Sequence, residues 1–328
     1  MRLTVARGAA PVLLAVAVTV GCVAAPVPDQ GASSGADGTA TSADAAGSPS
    51  AAHSVETRVA GATTDRVVIA AGDIAECSSG GDEATAALVA ANPTATVLAL
   101  GDLAYPDGNA GDFADCYGPS WGAFKARTRP VPGNHEYRTA DARAYFAYFG
   151  AAAGDPSKGY YSYELGLWHM VALNSNCNEI GGCEAGSPQE QWLRADLAAH
   201  PHKCTLAYMH HPRFSSGKHG NTDAVDALWK ALAEAKVDVV LAGHDHNYER
   251  FHPQSATGAP YGYGLRLIVV GTGGASLRPF EALQPESYVR ASIASGVLRM
   301  NLRTNAYDWR FLPASGATFT EYSSAPCV

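Results

Sequence analysis

Residues 66–105 read RVVIAAGDIAECSSGGDEATAALVAANPTATVLALGDLAY, and this stretch decides the fold. Arg66 to Ala71 is an apolar run of strand length, GDEATAALVAANP is a helical segment ended by Pro93, and TATVLAL is a second apolar run. Both runs lead into the pair Gly-Asp. A strand–helix–strand unit with a carboxylate at each strand exit suits a layered α/β protein, because buried strands offer side chains to a site where they end and loops begin.

The pattern repeats along the chain. Five blocks, GDIAEC, GDLAY, GNHEY, YMHHP and GHDHNYER, contain Asp73, Asp102, Tyr105, Asn134, His135, His210, His244 and His246, and the apolar runs VVIAA, TVLAL, CTLAY and VDVVLA lead into four of them. One pocket assembled from five loops is expected. Carboxylate, amide oxygen, imidazole and phenolate make a hard-to-borderline ligand set that suits Fe, Mn or Zn rather than soft thiolate metals. One carboxylate can bridge two ions, and two ions can share a phosphate ester between them.

In the order GDx, GDxxY, GNH(E/D), H, GHxH across residues 72–248, the blocks resemble the calcineurin-type metallophosphoesterases. The Tyr of GDLAY narrows the likeness to the purple acid phosphatase branch. That resemblance implies a four-layer αββα sandwich, two mixed β-sheets flanked by helices. It also implies two metal ions, one held by Asp73, Asp102, Tyr105 and His246 and the other by Asp102, Asn134, His210 and His244, with Asp102 as the bridge. Ala75 stands where many members of the wider superfamily have a ligating His, and Tyr105 fills that vacancy. A phenolate suits Fe(III), since a hard trivalent cation compensates for loss of a proton that otherwise leaves near pKa ~10; Fe, Zn or Mn is implied at the second position.

Of the adjacent His210 and His211, only one can face the metals from a strand, and the family's His-x-Pro pattern selects His210. The resemblance places His135, next to Asn134, against the phosphate, and His219 of GKHGNT beside the leaving group. His169, His200, His202 and His252 lie outside the blocks and read as structural or surface groups. GTGG at Gly271 to Gly274 lacks the GxGxxG pattern and reads as a tight turn. Asp107, Asp112 and Asp115 read as solvated loop carboxylates.

The ends of the chain point to export. Residues 1–21 join Arg2 and Arg7 to an uncharged apolar run and read as a signal peptide. Val20-Gly21-Cys22 resembles the end of a bacterial lipobox, with Thr19 in place of its Leu-like residue, so a lipid at Cys22 is one expectation and cleavage near Ala25 the alternative. Residues 22–64 are rich in Ala, Ser and Gly and too poor in large apolar side chains to form a core, and they read as a disordered tether. Residues 65–328 then form one catalytic domain. No plant-type N-terminal sandwich domain fits into residues 26–64. The net charge of −8 becomes −10 from residue 22 onward, because the leader's only charges are Arg2 and Arg7. Nucleic acid is excluded as a partner on that balance, and a membrane except through a lipid at Cys22.

Six cysteines remain after Cys22: Cys77, Cys116, Cys177, Cys183, Cys204 and Cys327. An even count in an exported chain points to disulfides. Cys177 and Cys183 bracket the short NEIGG loop and close most easily. For the rest, Cys77–Cys116 and Cys204–Cys327 are the hypothesis among fifteen connectivities.

The resulting reading is an exported bacterial binuclear-metal phosphoesterase, extracellular or a cell-surface lipoprotein, that hydrolyses phosphate monoesters by in-line attack of a metal-bound hydroxide. A phosphodiesterase or nucleotidase on the same metal core is the alternative, and a non-catalytic surface binding protein the reading from another class.

Overall fold

The computed structural model describes residues 65–201, 204–314 and 316–328. The readings made on residues 1–64 (leader, tether, Cys22) and on His202 lie outside them. In chain order the first half comprises β1 (Arg66–Ala71), α1 (Gly81–Ala90), β2 (Thr96–Leu100), α2 (Ala110–Asp112), β3 (Thr128–Val131), α3 (Arg143–Phe149), β4 (Tyr161–Leu165) and β5 (Trp168–Ala172). The second half comprises α4 (Pro188–Ala199), β6 (Cys204–Tyr208), α5 (Asp226–Glu234), β7 (Val239–Ala242), β8 (Tyr248–Phe251) and β9 (Arg266–Val270). It closes with β10 (Ser287–Ala291), β11 (Gly296–Leu302), β12 (Ala306–Pro313) and β13 (Tyr322–Pro326).

These strands form two mixed sheets, a six-stranded one in the order β13-β12-β11-β1-β2-β3 and a seven-stranded one in the order β10-β8-β9-β7-β6-β5-β4. Alternation of side chains explains how the second sheet can be apolar on both faces. Met170, Leu206, Tyr208, Leu241, Ile268 and Val270 join the core shared with Val68, Ala70, Leu98 and Leu298 of the first sheet. Their sequence neighbours Val171, Ala207, Val240, Leu267 and Val269 face the other way and pack with Leu193 of α4 and Leu228, Trp229 and Leu232 of α5. Two sheets flanked by helices therefore make the sandwich expected from the resemblance.

Ser187 caps α4 with Pro188 at its first position, its hydroxyl accepting from the Glu190 N–H. The Glu190 carboxylate returns to the Gly186 N–H, one residue before the cap. YSYEL and WHMVA pair antiparallel across Gly166. All three disulfides of the hypothesis are present: Cys77–Cys116, Cys177–Cys183 and Cys204–Cys327.

The segments GVLRMNLR and AYDWRFLP follow LRLIVV in the chain, and nearness in sequence would put all three in one sheet. Instead β11 pairs antiparallel with β1, Arg66 opposite Leu302, so the hairpin completes the first sheet while β9 lies in the second. β1 needs a partner on the side away from β2, and β11 brings the buried Val297, Leu298, Met300 and Leu302 to that side. Nearness in sequence, usually a fair guide to nearness in a sheet, fails here. β8, β10 and β13, with the sequences YERF, SYVRA and YSSAP, carry no apolar run that would mark them as strands. β8 reads YERF, yet its charged residues are buried: Glu249 accepts from the Ser216 N–H at 2.8 Å, and Arg250 pairs with Glu321 at 2.5 Å.

His169 ties β5 to its neighbours. Its Nδ1 lies 2.9 Å from Glu164 on β4, and its Nε2 lies 2.8 Å from Asp196 on α4, whose other oxygen is 3.4 Å from His200. Burial opposes the charged ring, but the bonds to Asp196 and Glu164 outweigh it and raise the pKa above 6.5. A raised histidine contributes stability that is complete below the unfolded value of 6.5 and lost as pH rises through the folded one. We expect His169→Gln to flatten the fall in Tm over that window; a melting curve series with unchanged slope would contradict the assignment.

Candidate metal centre

Each block sits where a strand of the central core ends. Asp73 follows β1, Asp102 follows β2, Asn134 follows β3, His210 follows β6, and His244 and His246 follow β7. Both sheets therefore contribute. Asp73, Asp102 and His244 each take a left-handed backbone, with φ of 58°, 51° and 72°. Such conformations cost of order 1–3 kcal/mol for a non-glycine residue and persist where the surroundings impose them. The neighbouring backbone must also be thin. A Cβ on Gly133 would come within 2.2 Å of Asp102 Oδ1, and one on Gly101 within 2.6 Å of the His210 ring.

Two groups of donor atoms result. In the first, Tyr105 Oη lies 3.0 Å from Asp73 Oδ1, 3.3 Å from Asp102 Oδ2 and 3.2 Å from His246 Nε2. In the second, His210 Nε2 lies 3.3 Å from the same Asp102 Oδ2, 3.1 Å from Asn134 Oδ1 and 3.2 Å from His244 Nδ1. One carboxylate oxygen thus belongs to both groups.

Proton counting shows what this arrangement fits. His246 Nδ1 is 2.8 Å from the Ser276 carbonyl and His210 Nδ1 is 2.9 Å from the Leu100 carbonyl, so each ring's N–H points there and each Nε2 turns a lone pair inward. Tyr105 then has one proton facing three acceptors. Lone pairs outnumber protons in a buried space, and only positive charge satisfies them. Burial opposes a charged His210, yet Asp102 overrides it and raises the pKa to about 9. Burial likewise opposes ionised Asp102, but His210 and His135 hold it well below the usual carboxylate range. Burial and the carboxylates of Asp73 and Asp102 push the Tyr105 phenol well above 10, so a hard cation is what would release its proton. The donors present fit two cations sharing Asp102.

All seven sequence-predicted ligand residues come together here. His135 and His219 flank them, with ring centroids 4.4 Å from Tyr105 and 4.2 Å from His244. His211 is close to His210 and His244, but its Nδ1 lies 2.8 Å from Ser175 Oγ, while His210 holds the contacts to Asp102 and Asn134. A cavity of about 530 Å³ opens beside Tyr105, His135 and His246, and another of about 360 Å³ beside Asn134 and His211.

Two carboxylates inside the blocks were given no role by the sequence reading. Glu136, fully buried, accepts from the N–H groups of Asp102 at 2.9 Å, Leu103 at 2.8 Å and Gly133 at 2.7 Å. It thereby joins the loop of Asp102 to that of Asn134. Asp245, also fully buried, accepts from the His219 N–H at 2.9 Å and from the Ser215 hydroxyl, and so holds the loop that carries His219. Their only signal is a carboxylate adjacent to a candidate ligand or one residue beyond it.

Comparison with known proteins gives a family and a fold. The calcineurin-like phosphoesterase family model matches residues 66–248. Purple acid phosphatase 21 of Arabidopsis thaliana is 34% identical over 202 residues, covering 54% of this chain and 43% of that protein. The chain therefore spans less than half the length of that plant relative. Among solved structures, the purple acid phosphatase from yellow lupin (Lupinus luteus) seeds superposes with a TM-score of 0.65 at 17% identity, covering 81% of this chain and 54% of that one. GAP50, described as the anchor in the inner membrane complex of Plasmodium, superposes with a TM-score of 0.61 at 14% identity, covering 78% of this chain and 88% of that one. These two likenesses concern the fold.

Proposed function

We propose, since the chain belongs to the calcineurin-like phosphoesterase family, that it is a purple acid phosphatase-like hydrolase acting on small-molecule phosphate monoesters. The observation that carries this reading is the position of Asp102 Oδ2, 3.3 Å from both Tyr105 Oη and His210 Nε2. Asp73, Asp102, Tyr105 and His246 would hold Fe(III), and Asp102, Asn134, His210 and His244 a second Fe, Zn or Mn. When bound, such a pair supplies Lewis acidity and lowers the pKa of water towards ~7.

The chain's own residues would do the rest. Asp73 and Asp102 each spend one oxygen on a backbone N–H, those of His244 and His135 at 2.8 Å, which fixes the other oxygen toward the cleft. His135 and His219 would hydrogen-bond the phosphate and the leaving oxygen as charge develops there, with Asn134 beside them.

Export, and a lipid at Cys22 after a leader of residues 1–21 and a tether of residues 22–64, belong to the same proposal. Three disulfides in the domain formed by residues 65–328 support an oxidising compartment. A diesterase or nucleotidase differs only in pocket shape, and paired mono- and diester substrates separate it. The GAP50 likeness keeps a binding role as the rival from another class; purified protein that retains two metal ions and turns over no ester would favour that rival.

Tyr105 offers the sharpest test. A phenolate on ferric iron gives concentrated, oxidised protein a visible colour, which Tyr105→Phe should remove while the fold survives, since Phe keeps the ring. Activity should fall less than on loss of Asp102, because Asp73, Asp102 and His246 remain. A colourless, fully active wild type holding two zinc or manganese ions would reject the ferric assignment and leave ester hydrolysis standing.

A further inference from the structure

Two guanidinium groups lie against the two histidines that flank the donor cluster, and they are not equivalent. Arg138 Nη2 is 3.3 Å from His135 Nε2, while its Nη1 donates to the Pro106 carbonyl at 3.0 Å and pairs with Asp107 at 3.3 Å. That cation is already neutralised. Arg278 Nη1 donates to His219 Nε2, and its backbone N–H donates to the His246 carbonyl at 2.9 Å. Among the described residues Arg278 forms no ion pair.

Arg278 lines the 530 Å³ cavity together with Tyr105, His135 and His246. The carboxylate of Glu76, in the same cavity, is engaged by the Ser276 N–H at 3.3 Å and hydroxyl at 3.2 Å. A volume in the range of about 300–1,000 Å³ suits a whole small ligand, and a phosphate alone would leave much of it empty. A guanidinium that forms no ion pair, beside a centre built for two cations, is repelled by them unless an anion sits between. Its planar fork matches a carboxylate or phosphate better than any other donor in the cavity.

Resting on the phosphoesterase reading above, we propose that Arg278 is a specificity-determining residue that receives a second anionic group carried by the leaving group. The preferred substrates are then phosphate esters or anhydrides whose leaving group bears a carboxylate or a further phosphate. Water adds to phosphorus as the P–O bond breaks; the leaving oxygen takes the proton, and the second anion stays on Arg278 until the product departs.

The test uses the full metal-loaded chain and two readouts. By calorimetry, wild type should bind pyrophosphate more tightly than inorganic phosphate, and Arg278→Gln should reduce that ratio roughly tenfold. Arg278→Lys, which keeps the charge and loses the fork, should fall between them, and Arg138→Gln should keep the wild-type ratio. In kinetics, Arg278→Gln should lower kcat/KM roughly tenfold more for a nucleoside diphosphate or a phosphorylated hydroxy acid than for 4-nitrophenyl phosphate. A loss with only one of the two substrates identifies which anion the site takes. An equal loss on all substrates, or an unchanged binding ratio, overturns the role of Arg278 and leaves the hydrolase reading intact. A ratio that behaves as expected in a protein without turnover on any ester keeps the anion site and removes the hydrolase.

Discussion

Asp102→Ala is expected to lower turnover of a phosphate monoester by about a thousandfold or more, equivalent to ~4 kcal/mol of transition-state stabilisation, and to lower the content of both metal ions together. The side chain is fully engaged. One oxygen stands 3.3 Å from Tyr105 Oη and from His210 Nε2, and the other accepts from the His135 N–H at 2.8 Å. Its loss therefore removes a donor from each group and loosens the backbone that carries His135. Elemental analysis beside steady-state kinetics checks both halves. Full activity, or loss of one ion with the other retained at wild-type level, would sink the bridging role.

Glu136→Ala is expected to cost about 4 kcal/mol of stability, because it strands several buried N–H groups that a carboxylate now satisfies. For a domain of this size that corresponds to a fall in Tm of roughly 10 °C. The variant should also bind metal weakly although it keeps every proposed ligand, since Asp102 and Asn134 lose the anchor between their loops. Glu136→Gln should do less harm, as it retains one acceptor oxygen. Thermal unfolding with a metal titration provides the check, and an alanine variant with wild-type Tm and metal affinity would show that the loops hold their shape unaided.

The donor residues are legible in the sequence because each is a polar side chain placed directly after an apolar run or a few residues beyond one. Their atoms are not. His210 and His246 turn Nε2 inward because the carbonyls of Leu100 and Ser276 claim Nδ1, whereas His244 offers Nδ1. Such choices depend on backbone groups that any residue carries. Glu136 and Asp245 escape notice for the same reason, since their partners are mainly N–H groups. Arg278 reaches the cleft from a segment without apolar periodicity. The layered architecture follows from the apolar runs, but the sheet joined by GVLRMNLR depends on which strand edge is still open. β8 stays hidden because Glu249 and Arg250 are buried, the first against Ser216 and Ser287 and the second paired with Glu321, and polarity ordinarily signals a surface.

The pairing of β1 with β11 sets a rule for the order in which this protein can be completed. Synthesis delivers Asp73, Asp102 and Asn134 early, yet the strand that closes the other edge of β1 is among the last to emerge, Leu302 lying opposite Arg66. Until then the first sheet has an open middle, and an unpaired edge is a hazard for association with other chains. A chain cut before Gly296 would contain every proposed ligand and still lack the support that holds β1 in place. Long-range closure of this kind is slow, so the site is complete only after the last strands have arrived.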